Sequence, residues 1–237
     1  MDKIKDVICN VRDMLVLRGD NIDSFVEKEK TMETSSFYRL DTIVKEDKTK
    51  HVSLCSDKTC VIFALNGDRK KLLISDIKIK IDKKKKDDDK DDDDEVDIPS
   101  SSIDLDIPEK YKIFVATNDY YMNYIFIFNM ITPSDKQILN LFDKSLQTAG
   151  GLLTVFREDE LYFNPTSHEL VDVHRKITQQ EIETLMSTNN IKSKNNLPLI
   201  LKSDPIAKWL GLKVGDIVEI DRYNTTSGLY KYYRVCN

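Results

Sequence analysis

The sequence predicts a mixed α/β to α+β chain in two parts. A larger α/β domain covers residues 1–156, and a small α+β domain ending in a β-hairpin covers residues 157–237. Three observations point there. Helix-spaced and strand-like segments interleave up to Phe156, the texture of an α/β layer. Beyond that point come two capped helices and a turn-flanked strand pair. The length of 237 residues suits one large or two modest domains.

The elements follow in order. Ile4, Val7, Ile8, Val11, Met14 and Leu15 recur at three- and four-residue steps, which makes one apolar helix face. Arg18-Gly19 supplies a cation for the last turn and a glycine stop. A more polar helix is expected over Ser24–Met32 and a third over Phe37–Val44. His51–Cys55, Thr59–Leu65 and Ile77–Ile81 read as strands, with a short helix Lys70–Ser75 before the last. Residues 82–107 read as a charged insertion without a fold. Tyr111–Thr117 and Tyr124–Asn129 are aromatic and β-branched, hence strands. Pro133-Ser134-Asp135 opens a helix, with Ser134 as cap and Gln137 in capping-box register. Ile138, Leu139, Phe142 and Leu146 form its inner face, Gly150-Gly151 ends it, and Leu152–Phe156 is a strand.

The second part has its own punctuation. Thr178-Gln179-Gln180-Glu181 is a capping box, with Ile177 and Ile182 as a hydrophobic staple. That helix runs to about Ser187, and Leu199–Leu201 is strand-like. Asp204 caps a short helix with Pro205 at its first position, and Gly211 closes it. Ile217–Arg222 and Leu229–Val235 flank a turn-rich Asn224–Gly228 as a hairpin.

Composition narrows the function. The formal net charge is -5, which argues against a generally phosphate-binding protein. The charge is local. Asp82–Asp97 holds 10 of the 41 acids and 5 of the 36 bases, and the remaining 31 of each balance. No apolar run nears the ~20 residues of a membrane span, and the N-terminus has no signal-like apolar stretch, so a soluble intracellular protein is expected. Cys9, Cys55, Cys60 and Cys236 contain no CxxC pair and read as reduced thiols rather than zinc ligands. Arg18-Gly19-Asp20 and the sequon Asn224-Thr225-Thr226 both need a secretory setting that nothing else suggests.

The C-terminal third carries a resemblance. Asn196-Leu197-Pro198, the run Ser203 to Ile220 (SDPIAKWLGLKVGDIVEI), Ser227-Gly228-Leu229-Tyr230 and Tyr233-Arg234-Val235 resemble the end of a small RNA polymerase subunit. It is the fifth subunit shared by eukaryotic RNA polymerases I, II and III, which has a shorter archaeal counterpart. Ser167-His168-Glu169-Leu170-Val171, with His174 after it, resembles the family's HHELVPKH segment. Asn129-Met130-Ile131-Thr132-Pro133-Ser134 resembles its NITPSA stretch, and Val11 to Leu15 with Arg18-Gly19 its first helix. Archaeal members lack the N-terminal domain, so the eukaryotic type or a homologue from a giant virus is indicated. The Lys-, Asp-, Asn- and Ile-rich composition leans to the virus.

The resemblance implies a non-catalytic subunit without cofactor, metal or small-molecule substrate, and without a membrane. It implies a C-terminal module docked on the largest polymerase subunit for assembly, beside other polymerase subunits. An N-terminal nuclease-like jaw without an active site would lie near downstream duplex DNA, in weak or transient contact. The location implied is the nucleus for a cellular protein, or the host cytoplasm or virion for a viral one. Interface residues carried over are His168, Glu169, Asp204, Pro205, Trp209, Gly211, Gly215, Arg222, Gly228, Tyr230, Tyr233 and Arg234. Tyr223, Tyr230, Tyr232 and Tyr233 divide between packing the hairpin and facing a partner. Thr132, Pro133, Ser134 and Lys136 are the DNA-proximal candidates, because a helix N-terminus suits an anion. Asp135 weakens that attraction, and Lys136 partly offsets it.

Two look-alikes compete. His168-Glu169 with His174 lacks the one-turn spacing of a zincin pair. Asp76-Ile77-Lys78 spells half of a restriction-type nuclease site, which needs a further metal-binding carboxylate, Asp57 being the convenient one. The alternative functions are therefore a metal-dependent nuclease, or a free-standing transcription modulator that uses the same docking module.

Overall fold

The structure, a computed structural model, describes residues 3–38, 52–87, 122–148 and 150–237. It has helices and mixed sheets in two compact units, Asp23–Asp159 and Met1–Ile22 with Glu160–Asn237. The sequence pattern alone joins residues 1–156 in one domain. The structure instead groups the first helix, α1 (Lys3–Leu17), with the C-terminal residues. Its periodicity marks a buried face, but not the partner of that face.

The first unit contains α2 (Asp23–Thr31), β1 (Val52–Cys55), β2 (Thr59–Ala64), α3 (Gly67–Asp87), β3 (Asn123–Phe128), α4 (Pro133–Thr148) and β4 (Leu152–Arg157). The sheet order is β1-β2-β3-β4, with β1 antiparallel to β2 and the others parallel. Every β2 side chain is buried, as is all of β3 after Asn123. Parallel strands covered on both faces need such continuous apolar runs. On one face Ile62, Phe126 and Leu153 pack with Leu73 and Ile77 of α3 and Leu139 of α4. Phe126 stacks on Phe142, with ring centroids 6.1 Å apart. Phe63 meets Phe37 edge-on at 4.9 Å.

Several expectations change here. The strand Ile77–Ile81 and short helix Lys70–Ser75 are one helix, α3. Arg69, Leu73 and Ile77 stand at four-residue steps and are all buried, so the helical period decides the segment. The alternation Ile77, Ile79, Ile81 satisfies a strand period by coincidence. Because α3 runs to Asp87, the charged insertion expected from residue 82 begins as helix. Lysine is a good helix former and suits a helix C-terminus. Residues 88–107, the strand Tyr111–Thr117 and most of the helix Phe37–Val44 lie outside the described residues.

The cap of α4 is also different. Thr132, not Ser134, is the N-cap: its Oγ1 accepts the Asp135 N–H at 3.3 Å, and Asp135 Oδ2 accepts the Thr132 N–H at 2.9 Å. Pro133 occupies the first helical position, where its missing N–H loses nothing.

The second unit adds β5 (Val173–Lys176), α5 (Gln179–Thr188), β6 (Leu199–Ile200), α6 (Pro205–Leu210), β7 (Ile217–Asn224) and β8 (Gly228–Cys236) to α1. The sheet order is β5-β7-β8-β6, antiparallel except for β8 with β6. Ile177, Ile182, Leu185, Ile217 and Val235 pack together on the α5 side. Ile200, Ile206, Leu210, Val218 and Ile220 do so on the α6 side. Thr178 and Glu181 form the predicted capping box. Asp204 caps α6 through its Oδ1, which accepts the Ile206 N–H at 2.8 Å.

Gly211 ends α6 in the left-handed region, at φ 64°. A Cβ there would also come within 3.0 Å of the Arg18 guanidinium. Arg18 follows α1 and donates to the carbonyls of Lys208 and Trp209. It thereby satisfies acceptors that α6 leaves open at its C-terminus. Burial lowers its pKa to about 10, with Asp20 opposing.

Candidate functional site

The period-two pleat sorts β5, β7 and β8 into two faces. On the α5 face one rung carries Arg175, Glu219 and Tyr233 across three strands. Glu219 is buried and accepts from Arg175 (3.0 Å), Lys231 (2.7 Å) and Tyr233 (2.9 Å). Burial alone would raise its pKa, but Lys231, Arg175 and Tyr233 together hold it below the ordinary value. Burial and the bond to Glu219 raise Tyr233. Arg175 also donates to Glu181 at 2.8 Å. The Thr178 N–H and that guanidinium bring Glu181 down to about 2. A continuous polar chain thus ties the start of α5 to the middle of the sheet.

On the opposite face Arg222 lies over the Tyr232 ring at 4.4 Å and Arg234 at 5.6 Å. Arg222 also pairs with Asp172 at 3.4 Å. These contacts fix a cationic and aromatic surface in place.

Past this rung the hairpin's α5 face opens: Val173, Asp221 and Lys231 make the next rung, and the apolar pair Tyr223 and Leu229 lies beyond them. Tyr223 and Leu229 are direct cross-strand partners, each 73 % exposed, and Val173 on the neighbouring strand is 68 % exposed. Tyr230, on the other face, is 38 % exposed. Exposed apolar side chains beside a charged pair at one pleated end are what an association surface with a polar rim presents.

The residues singled out by sequence do not all meet there. His168 and Glu169 are exposed after the turn Pro165–Ser167, and His168 Nδ1 accepts the Leu170 N–H at 3.1 Å. His174 is in β5, so the two histidines share no helix. Asp204 and Pro205 build the start of α6, and Gly215 and Gly228 take left-handed turns. Trp209 is 1 % exposed, a core side chain with no surface to offer a partner. Arg222, Tyr230, Tyr233 and Arg234 are on the hairpin; Tyr233 is committed to Glu219. Sequence reading named Tyr223 among the interface tyrosines and Arg18 as a helix-end cation, but it missed Arg175 and Lys231, the buried role of Glu219, the bonds from Arg18 to α6, and the exposed Val173 and Leu229 beside Tyr223. The alternating pattern of β7 held the signal for Glu219, a charge on its inward-facing register.

In the first unit, the Thr132–Lys136 corner already holds an anion. Asp135 binds Lys70 at 2.8 Å in addition to the Thr132 N–H. Burial works against its charge, yet Lys70 and Thr132 keep its pKa lowered. Asp76 of the nuclease-like triplet sits in α3, not on a strand. Among the described residues no three His, Cys, Asp or Glu side chains gather as a metal site, and no helix is long and apolar enough to cross a membrane.

Comparison with known proteins gives this surface a context. Residues 163–236 match the family described as RNA polymerase Rpb5, C-terminal domain. The subunit rpabc1 of DNA-directed RNA polymerases I, II and III from Dictyostelium discoideum is 33% identical over 150 residues, 59% of this chain and 74% of that one. The DNA-directed RNA polymerase subunit Rpo5 of Pyrococcus horikoshii is 45% identical over 73 residues, 31% of this chain and 88% of its own. The hairpin, its rung of paired charges and its open apolar end therefore lie in the segment that matches the family model, and the chain belongs to the RNA polymerase Rpb5 family.

Proposed function

We propose that this chain is a non-catalytic subunit of a DNA-directed RNA polymerase and that its C-terminal module docks on the largest subunit. The observation that carries the reading is the open hairpin end, Val173, Tyr223 and Leu229, within the segment that matches the family. The paired charges behind it hold that end in one shape before any partner arrives, which lowers the ordering cost of association. Of the residues carried over by resemblance, Arg222, Tyr230 and Arg234 fit surface contacts. Asp204, Pro205, Trp209, Gly211, Gly215 and Gly228 fit the shaping of the module.

The first unit takes the role of the jaw near downstream DNA. Asp135 fills the α4 N-terminus, so Thr132, Pro133, Ser134 and Lys136 suit proximity to a phosphate rather than tight binding. A cellular member of the family with this role would work in the nucleus. Affinity purification of the tagged chain from its source, with stoichiometry by mass spectrometry, tests the proposal. The two large polymerase subunits are expected in equimolar amount. Recovery of the chain alone would overturn the reading, and substoichiometric recovery would favour a free-standing modulator.

A further inference from the structure

The first unit holds two cysteines side by side, far from the docking surface in sequence and without a part in it. Cys55 ends β1, Cys60 follows the start of β2, and the two are register partners across the hairpin. Ser56 and Thr59 form the next rung towards the turn, through a Ser56 N–H to Thr59 carbonyl bond of 2.9 Å. Antiparallel rungs alternate, so the Cys55–Cys60 rung is the closer, non-hydrogen-bonded kind, with Cα atoms ~4.5 Å apart. That lies inside the range a disulfide spans. Both residues are reduced thiols, and their sulfurs are 3.1 Å apart. β1 is only four residues long; among the described residues its one strand partner is β2, and Ser24 of α2 donates to the Cys55 carbonyl at 2.9 Å. A covalent tie between these residues would clamp β1 to β2 at the hairpin.

We infer that Cys55 and Cys60 form a modification site, a dithiol that closes into an intramolecular disulfide on exchange with a small-molecule disulfide. One cysteine, as thiolate, attacks the small disulfide, forms a mixed disulfide and releases one small thiol. The second cysteine loses its proton, attacks the protein sulfur of that mixed disulfide and releases the other. Two protein thiols are oxidised, and one external disulfide is reduced to two thiols. The pair lies among Ile62, Leu73, Ile77 and Tyr124. The bond with Cys55, and then burial, raise the Cys60 thiol well above its ordinary value, with Lys28 opposing. The exchange is therefore slow at neutral pH and quickens about tenfold per pH unit while thiolate is scarce.

Lys58 lies between the two cysteines, so trypsin separates them into two peptides that stay joined only by a disulfide. The full chain is incubated with oxidised glutathione at pH 8, quenched with an alkylating agent and digested. The expected result is a linked peptide pair carrying Cys55 and Cys60, two fewer alkylated thiols, and no glutathione left on either residue. Reductant should restore both thiols, and Cys55→Ser should abolish the linked pair. Three results would overturn the inference. In the first, Cys55 and Cys60 stay alkylatable while the half-buried Cys9 takes up glutathione. In the second, either cysteine links to Cys9 or Cys236. In the third, glutathione remains on Cys55 or Cys60 without ring closure.

Discussion

The two four-stranded sheets solve different problems. In the first unit β2 and β3 bury nearly every side chain, so the two central strands are covered on both faces. In the second, β7 begins buried at Ile217–Ile220 and ends exposed at Tyr223–Asn224, and β8 follows the reverse course. One sheet is closed by its own helices; the other is closed at one end and open at its hairpin tip. Between the closed and open ends of the second sheet stands the rung Arg175–Glu219–Tyr233, an ion pair with a tyrosine hydroxyl donating to it. The contrast separates a sheet whose central strands are buried on both faces from one whose hairpin tip stays exposed.

Substitutions graded along this contrast should have graded effects on stability. Phe126→Ala empties the middle of the closed sheet and removes the stack on Phe142. It should cost about 3–5 kcal/mol in urea unfolding. Gly211→Val forces a β-branched residue into the left-handed region and against the Arg18 guanidinium. A loss of about 2–3 kcal/mol is expected from strain and the broken cap. Glu219→Gln leaves Arg175 and Lys231 short of a charged acceptor. It should cost about 1–3 kcal/mol, measured the same way. The double change Tyr223→Ser with Leu229→Ser touches only the open tip. It should move stability by no more than about 0.5 kcal/mol, yet weaken association with the partner by about tenfold or more.

Acid should act on the charged rung by a definite route. Glu181, Glu219 and Asp135 all have lowered pKa values in the folded chain. The stability they contribute is full above the unfolded carboxylate values, 4.5 for glutamate and 3.8 for aspartate. It is lost as pH falls through the folded values, down to about 2 for Glu181. Urea midpoints of Glu219→Gln should depend less on pH across that window than those of the parent chain.

Much of this is legible in the sequence, element by element. Local signals speak for local structure. Thr178-x-x-Glu181 caps α5, Asp204-Pro205 opens α6, and Gly211 closes it, each as the sequence predicts. The errors arise where two periods fit one segment or where a partner lies far along the chain. Ile77–Ile81 alternates like a strand but belongs to a helix whose inner face is set by Arg69 and Leu73. Ser134 is a credible cap by residue type, but Asp135 Oδ2 reaches back to Thr132 and sets the helix start there. No local pattern joins Arg18 to the end of α6, 190 positions on, or Arg175 to Glu219. Burial sorts the tyrosines: Tyr223 and Tyr230 face outward, while Tyr232 and Tyr233 are held by Arg222 and Glu219.

The most direct test of the open hairpin tip as the docking surface is a paired affinity purification from the native source. The tagged parent chain is compared with the Tyr223→Ser, Leu229→Ser chain, after urea unfolding has shown the two equally stable. The parent should bring down the large polymerase subunits in equimolar amount, and the double variant should lose most of them. Equal recovery by both chains would contradict the account and place the interface elsewhere on the molecule.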